Sequence, residues 1–188
     1  MQSENLIQAL SAQTRAIVNE AENLKTLDLN VLRWRQHPTS WSILECLEHL
    51  NLYGEFYLPQ MEREIRTSAT KPDEEFRSGV LGGYFAKSML PKEKLNKMKT
   101  FKDKNPLNAQ LDKTTIHTFI AQQSTLLDLL DRSRKVSLNS VRIRTSILVP
   151  IKLKLGDTFQ FFINHILRHL KQIDNVLIAW ENAKHDLR

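Results

Sequence analysis

Two imidazoles one helical turn apart are the residues of this chain best suited to chemistry. His165-Ile166-Leu167-Arg168-His169 sets them at i and i+4, which puts both on one face of a helix. At 100° per residue they lie about 100° and 60° to one side of Ile166, on the flank of an apolar stripe. From that flank they can turn into a cleft between helices. Neutral imidazoles so placed can chelate one borderline ion, because nitrogen donors suit zinc, nickel, copper and iron. The chain holds six His, so one pair at this spacing by chance is no surprise, and taken alone it reads as structure sooner than as a ligand pair. The Glu of His-Glu-x-x-His is missing, and with it the general base of a zincin protease. Nor are there Glu-x-x-His pairs on two helices, as ferritin-like di-iron bundles require. A third ligand must come from another helix, and periodicity does not choose it. His49 sits roughly 160° round from Leu47, with Tyr53 and Phe56 on its side, either exposed or turned to a second neighbour. His37, His117 and His185 have no partner nearby in sequence and read as surface residues.

Helices must hold these rings in place. Residues 3–27 carry Leu6, Ile7, Leu10, Ile17, Ala21 and Leu24 at mostly three- and four-residue steps, with Ser3 as the expected cap. Residues 28–39 read as a connector, because the residue before Pro38 is pushed away from helix. Ser42-Ile43-Leu44-Glu45 matches a capping box, with Trp41 expected to pack on the first turn. From there Ile43, Leu47, Leu50, Gly54, Leu58, Met61 and Ile65 run to about residue 67, and Pro59 predicts a kink or local break. Residues 68–112 lack a sustained period, and their length suggests a short helix around 84–99. A third long helix is expected from Thr114 to about Lys135. Residues 136–156 read as extended, since Val141, Ile143 and Thr145 alternate with Arg142 and Arg144, although a single strand there has little to pair with. The fourth long helix is expected after Gly156, capped by Asp157, with Phe159, Phe162, Ile163, Ile166, Leu170, Ile173, Leu177 and Trp180 as its stripe to about Lys184. Four such helices imply a bundle.

With 188 residues, 41% apolar and 26% charged, the chain has the composition of one ordinary soluble domain spanning residues 1–188. The single Cys46 excludes a disulfide framework and a Cys-rich zinc module, and its place on an apolar helix suggests core and not nucleophile. The N-terminus lacks a secretory signal, and no apolar run approaches a membrane span. A cytoplasmic location without membrane contact is the expectation. The net charge of +6 is unevenly spread. Residues 84–104 hold seven Lys against Glu93 and Asp103, and residues 132–154 hold seven cations against no acid, leaving the remainder acidic. Such segments can neutralise phosphates, but aromatic interleaving, a helix-turn-helix pattern and zinc fingers are all missing. Solvated loops that keep the protein soluble, and can also attract anionic small molecules, are the simpler account.

Taken together, Trp41-Ser42-Ile43-Leu44-Glu45-Cys46-Leu47-Glu48-His49-Leu50 and, 116 residues after His49, His165-Ile166-Leu167-Arg168-His169-Leu170-Lys171-Gln172-Ile173 resemble the DinB/YfiT-like superfamily. The resemblance covers roughly residues 30–184; residues 68–112 carry no family signature. It implies an all-α four-helix bundle with a long loop insertion between helices 2 and 3. Members are often described as metal-dependent hydrolases. The resemblance places a three-histidine metal site on His49, His165 and His169, and with it one divalent ion, zinc or nickel first, iron or manganese as alternatives. Three imidazoles leave at least one position for water or substrate, as catalytic sites do. The resemblance also allows thiol transfer, since relatives include transferases and isomerases that use low-molecular-weight thiols, and it allows a homodimer. The expected function is therefore a metal-dependent hydrolase or thiol S-transferase acting on a small molecule, with no catalytic residue identified beyond the metal set. A non-catalytic bundle that binds a small molecule or partner is the alternative, and nucleic-acid binding through the basic loops a third. Glu45 is read as a cap before an outer partner of His49, Arg168 and Gln172 as solvated, and Trp34, Trp41 and Trp180 as packing anchors.

Overall fold

The apolar periods do become helices. The computed structural model describes residues 1–91, 99–146 and 151–185. Along the chain come α1 (Ser3–Leu24), a short α2 (Leu29–Arg33), α3 (Ile43–Thr67), α4 (Val80–Ser88), α5 (Thr114–Arg132), strands β1 (Arg142–Arg144) and β2 (Lys152–Lys154), and α6 (Leu155–His185). Helices α1 and α3 each pack against both α5 and α6. That arrangement closes a four-helix bundle with α1 and α3 on one diagonal. Every residue of the α1 stripe is buried, as are Ile43, Leu47, Leu50, Leu58, Met61 and Ile65 of α3 and the α6 stripe from Phe159 to Ile173. The chain is an all-α bundle, with one small two-stranded sheet among the described residues.

The start of α3 forms as its sequence dictates. Ser42 Oγ accepts from the Glu45 amide at 3.3 Å, and the Glu45 carboxylate accepts from the Ser42 amide at 2.8 Å. Glu45 does more than cap. It also accepts from Arg35 Nε and Nη2 at 2.8 and 2.6 Å and from the Asn108 amide at 2.7 Å. It thereby ties the connector before α3 to the long insertion after it.

Several local expectations are corrected. Ser3 is the first helical residue, not the cap. The chain ahead of it is extended, bridging Gln2 to Glu75, and the orphan Ser3 amide donates to the Glu74 carbonyl at 2.9 Å. Helix α3 runs unbroken through Pro59. Both Pro59 and Glu55, whose carbonyl loses its helical partner, are exposed, so water can satisfy the lost bond. The helix expected at 84–99 occurs earlier, at 80–88; residues 92–98 lie outside those described. The strand at 142–144 does find a partner, pairing antiparallel with 152–154. Its alternation was legible, whereas the second strand is only three residues long. Finally, α6 begins at Leu155, and Asp157 lies within its first turn. The Asp157 carboxylate accepts from Ser78 Oγ at 2.5 Å and the Gly79 amide at 2.9 Å, holding the start of α4 against α6.

Candidate metal centre

His49 comes from the second turn of α3, and His165 and His169 from successive turns of α6. The three side chains meet on the wall of a cavity of about 750 Å³. Their ligand atoms all lie within 4.8 Å of one another. His165 Nε2 is 3.3 Å from His49 Nε2 and 3.0 Å from His169 Nε2. His49 is thus the buried alternative of the two left open by its helical angle, at 3% exposure.

The opposite nitrogens fix which lone pairs converge. His49 Nδ1 donates to the Lys104 carbonyl at 2.6 Å, and His169 Nδ1 donates to Gln172 Oε1 at 3.0 Å. A carbonyl only accepts, so in both rings the proton sits on Nδ1 and Nε2 is a bare acceptor. His165 Nε2 faces both acceptors and can offer at most one proton. Three nitrogens thus share one hydrogen, leaving lone pairs pressed together where a cation would compensate them. His165 Nδ1 is buried with no hydrogen-bond partner among the described residues.

The spacing fits an ion. Metal–nitrogen bonds of about 2.0–2.1 Å put neighbouring donors roughly 3.3–3.4 Å apart around a tetrahedral ion and about 3.0 Å apart around an octahedral one. The observed 3.3 and 3.0 Å fall at those two values. The three-histidine group can therefore hold a metal ion. Burial keeps the rings neutral. It lowers His49 from 6.5 to about 4, with the Lys104 charge helping and the Lys104 carbonyl opposing. It lowers His169 to about 3 and His165 well below 6.5, and in each case another ring of the trio adds to the effect.

A chelator-treated protein should therefore be acid-labile. A group whose folded pKa is depressed takes its proton first in the unfolded chain, so stability present above pH 6.5 is lost as pH falls toward 4. His49 alone should remove about 2 kcal/mol between pH 7 and pH 5. Denaturant unfolding of the metal-free protein at those two pH values measures it; equal stability would mean the rings are not held neutral.

Aromatic walls surround the trio. The Trp41 ring centre lies 4.7 Å from that of His49 and 5.9 Å from that of His169. Tyr53 is 4.9 Å from His49 and 4.7 Å from His165. Burial, with Tyr57 and Asp103 nearby, pushes the Tyr53 hydroxyl up to about 12, so it stays protonated. Trp41 Nε1 donates to Asn105 Oδ1 at 3.1 Å. Trp41 therefore covers the site and does not merely pack on the helix.

Two readings are corrected here. Gln172 and Arg168 are not solvated positions. Gln172 orients His169, and Arg168 is 6% exposed on the cavity wall, with burial lowering its pKa. Gln172 stands three residues after His169, a spacing that could have revealed it. The Lys104 carbonyl is a backbone group in the insertion and leaves no side-chain signal. Glu45 is the cap, as expected, and also the ion-pair partner of Arg35; Cys46 is fully buried, its thiol raised by burial and the Glu45 charge. His37, His117 and His185 are exposed, and Trp34 meets Trp180 edge-on at 5.5 Å.

The comparison with known families bears on this centre. The family model of the DinB superfamily matches residues 10–173, a span that contains all three histidines. The chain belongs to the DinB superfamily. No curated protein and no solved structure matches it. The DinB match extends through residues 68–112, the insertion that lacked a recognisable pattern, and that insertion supplies the Lys104 carbonyl to His49. No helix of the described residues is long and apolar enough to cross a membrane.

Proposed function

We propose that this DinB-superfamily protein is a metal-dependent enzyme acting on a small molecule, with His49, His165 and His169 holding one divalent ion, zinc or nickel. The observation that carries the proposal is the convergence of three Nε2 atoms at a cavity wall while two Nδ1 atoms are held by carbonyl oxygens. When bound, such an ion supplies Lewis acidity, which favours deprotonation of a water or thiol beside it.

The chain's own groups do the rest. Lys104 and Gln172 fix the tautomer and tilt of two rings, Trp41, Tyr53 and Phe161 shield the centre, and the cavity admits a ligand of small-molecule size. The Tyr53 hydroxyl, kept protonated, is available as a hydrogen-bond donor to a substrate. Among the described residues no carboxylate lines the cavity, and the imidazoles are committed as ligands. This favours thiol transfer over hydrolysis. A thiol starts near pKa 8.5 and needs little help to ionise, whereas water starts near 15.7 and would depend on the ion alone for its ionisation.

Protein prepared without a histidine tag tests the reading. About one equivalent of divalent metal by elemental analysis is expected, together with turnover of an activated electrophile only when a low-molecular-weight thiol is supplied. Wild-type protein that neither retains nor takes up a stoichiometric ion would end the enzyme proposal. Turnover without thiol would restore hydrolysis.

A further inference from the structure

Like charges face one another across the β-hairpin. The register sets Arg142 opposite Lys154 and Arg144 opposite Lys152, and directly opposed residues share a face of the ladder. Ile143 and Leu153 occupy the other face and are buried, so all four cations lie on the outward face. Arg142, Arg144 and Lys152 are exposed and Lys154 is half-buried. Opposed like charges weaken a two-stranded ladder. Among the described residues none of the four forms an ion pair. Lys154 Nζ donates to the Arg77 carbonyl at 2.6 Å and to Asn139 Oδ1 at 3.4 Å, neutral acceptors that leave its charge in place. Glu75 pairs with Arg77, and two further acids stand near Lys154: Asp157, which flanks Gly79 beside it, and Asp73, whose carboxyl its charge helps to hold ionised.

An apolar protrusion adjoins this face. Gly79 lies against Lys154, since a Cβ there would sit 3.8 Å from Lys154 Cε. The next residue, Val80, is 98% exposed, and Leu81 and Tyr84 on the same short helix are 39% and 67% exposed. Arg142, Arg144 and Lys152, exposed and in no ion pair among the described residues, beside projecting aliphatic and aromatic side chains match the two parts of a phospholipid interface. Headgroup charge attracts the first, and the acyl boundary accepts the second. A nucleic acid would use the cations but gains nothing from a projecting Val80 and Leu81.

We propose that the outer face of the β-hairpin, together with the start of α4, docks the protein on an anionic phospholipid bilayer. Docking is peripheral, and it does not depend on the metal centre.

Co-sedimentation of the full chain with vesicles tests it. The protein should bind vesicles of phosphatidylcholine with one-third phosphatidylglycerol at low salt, bind phosphatidylcholine alone far less, and be released by high salt. Arg142→Gln, Arg144→Gln and Lys152→Gln together should lower the partition coefficient roughly 100-fold, about five-fold per cation. The thermal midpoint of that variant should not fall, because opposed like charges have been removed. Val80→Ser with Tyr84→Ser, at positions too exposed to unfold the bundle, should weaken binding while leaving its salt dependence. Equal binding to neutral vesicles, no binding to either kind, or unchanged binding by both variants would overturn the proposal. So would an oligonucleotide that binds the same face more tightly than the vesicles do.

Discussion

His165→Ala should lose more metal affinity than any change in the surroundings of the site. His165 Nε2 is the atom within 3.0 and 3.3 Å of both other donors. Without it, one imidazole on α3 and one on α6 remain, joined by no third donor. The loss should exceed the roughly 10–100-fold that removal of an outer partner of a ligand costs. Gln172→Ala supplies the reference, because it leaves all three donors and removes only the acceptor that orients His169. Competitive titration against a chromophoric chelator gives a graded series, with Gln172→Ala weakened within that range and His165→Ala beyond it. If both variants bind like wild type, the ion lies elsewhere or nowhere.

Arg35→Met should be the most destabilising single change in the connector. The Glu45 side chain is 1% exposed, and Arg35 gives it two of its four hydrogen bonds. Burial pushes the Glu45 carboxyl up, but Arg35 and the Ser42 and Asn108 amides outweigh it and hold the pKa below 4.5. Removing the guanidinium leaves a buried carboxylate with only backbone donors. Breaking a buried pair from one side costs about 3–5 kcal/mol. With Arg35 26% exposed, water can reach the gap, so a loss near the lower end, about 3 kcal/mol, is expected from denaturant unfolding at pH 7. The deficit should shrink as pH falls through the variant's raised Glu45 pKa, where protonation removes the unpaired charge, and level off below the wild type's lowered one. Arg35 Nη1 also donates to Asn108 Oδ1 at 2.7 Å, and Asn108 adopts a left-handed conformation at φ 69°. The same variant should therefore loosen the insertion and lower metal affinity slightly through the Lys104 carbonyl. A stability loss with no pH dependence would mean that Glu45 is not the group left stranded.

The chain's periodicities carried most of the bundle. The α1 stripe, the capping box at Ser42 and Glu45, and the α6 stripe from Phe159 to Ile173 are local patterns, and each became the expected helix. The corrections at Ser3, Asp157 and β1 share a cause, whereas those at Pro59 and Gln172 are local. Ser3, Asp157 and the partner of β1 depend on segments 70 or more, 78 and 10 residues away, respectively. Helical spacing says nothing about such meetings.

The sequence by itself determined the four long helices, the i,i+4 pair at His165 and His169, and, through two short motifs, the family resemblance that singled out His49. Those features rest on a few consecutive residues, where backbone geometry alone sets the relative positions of side chains. Only the tertiary structure decided that His49 turns inward, that the Lys104 carbonyl fixes its tautomer so that its Nε2 meets those of His165 and His169, and that four cations share a face beside Val80. Each of these depends on packing between separate parts of the bundle, which burial of the stripes imposes and no local spacing encodes.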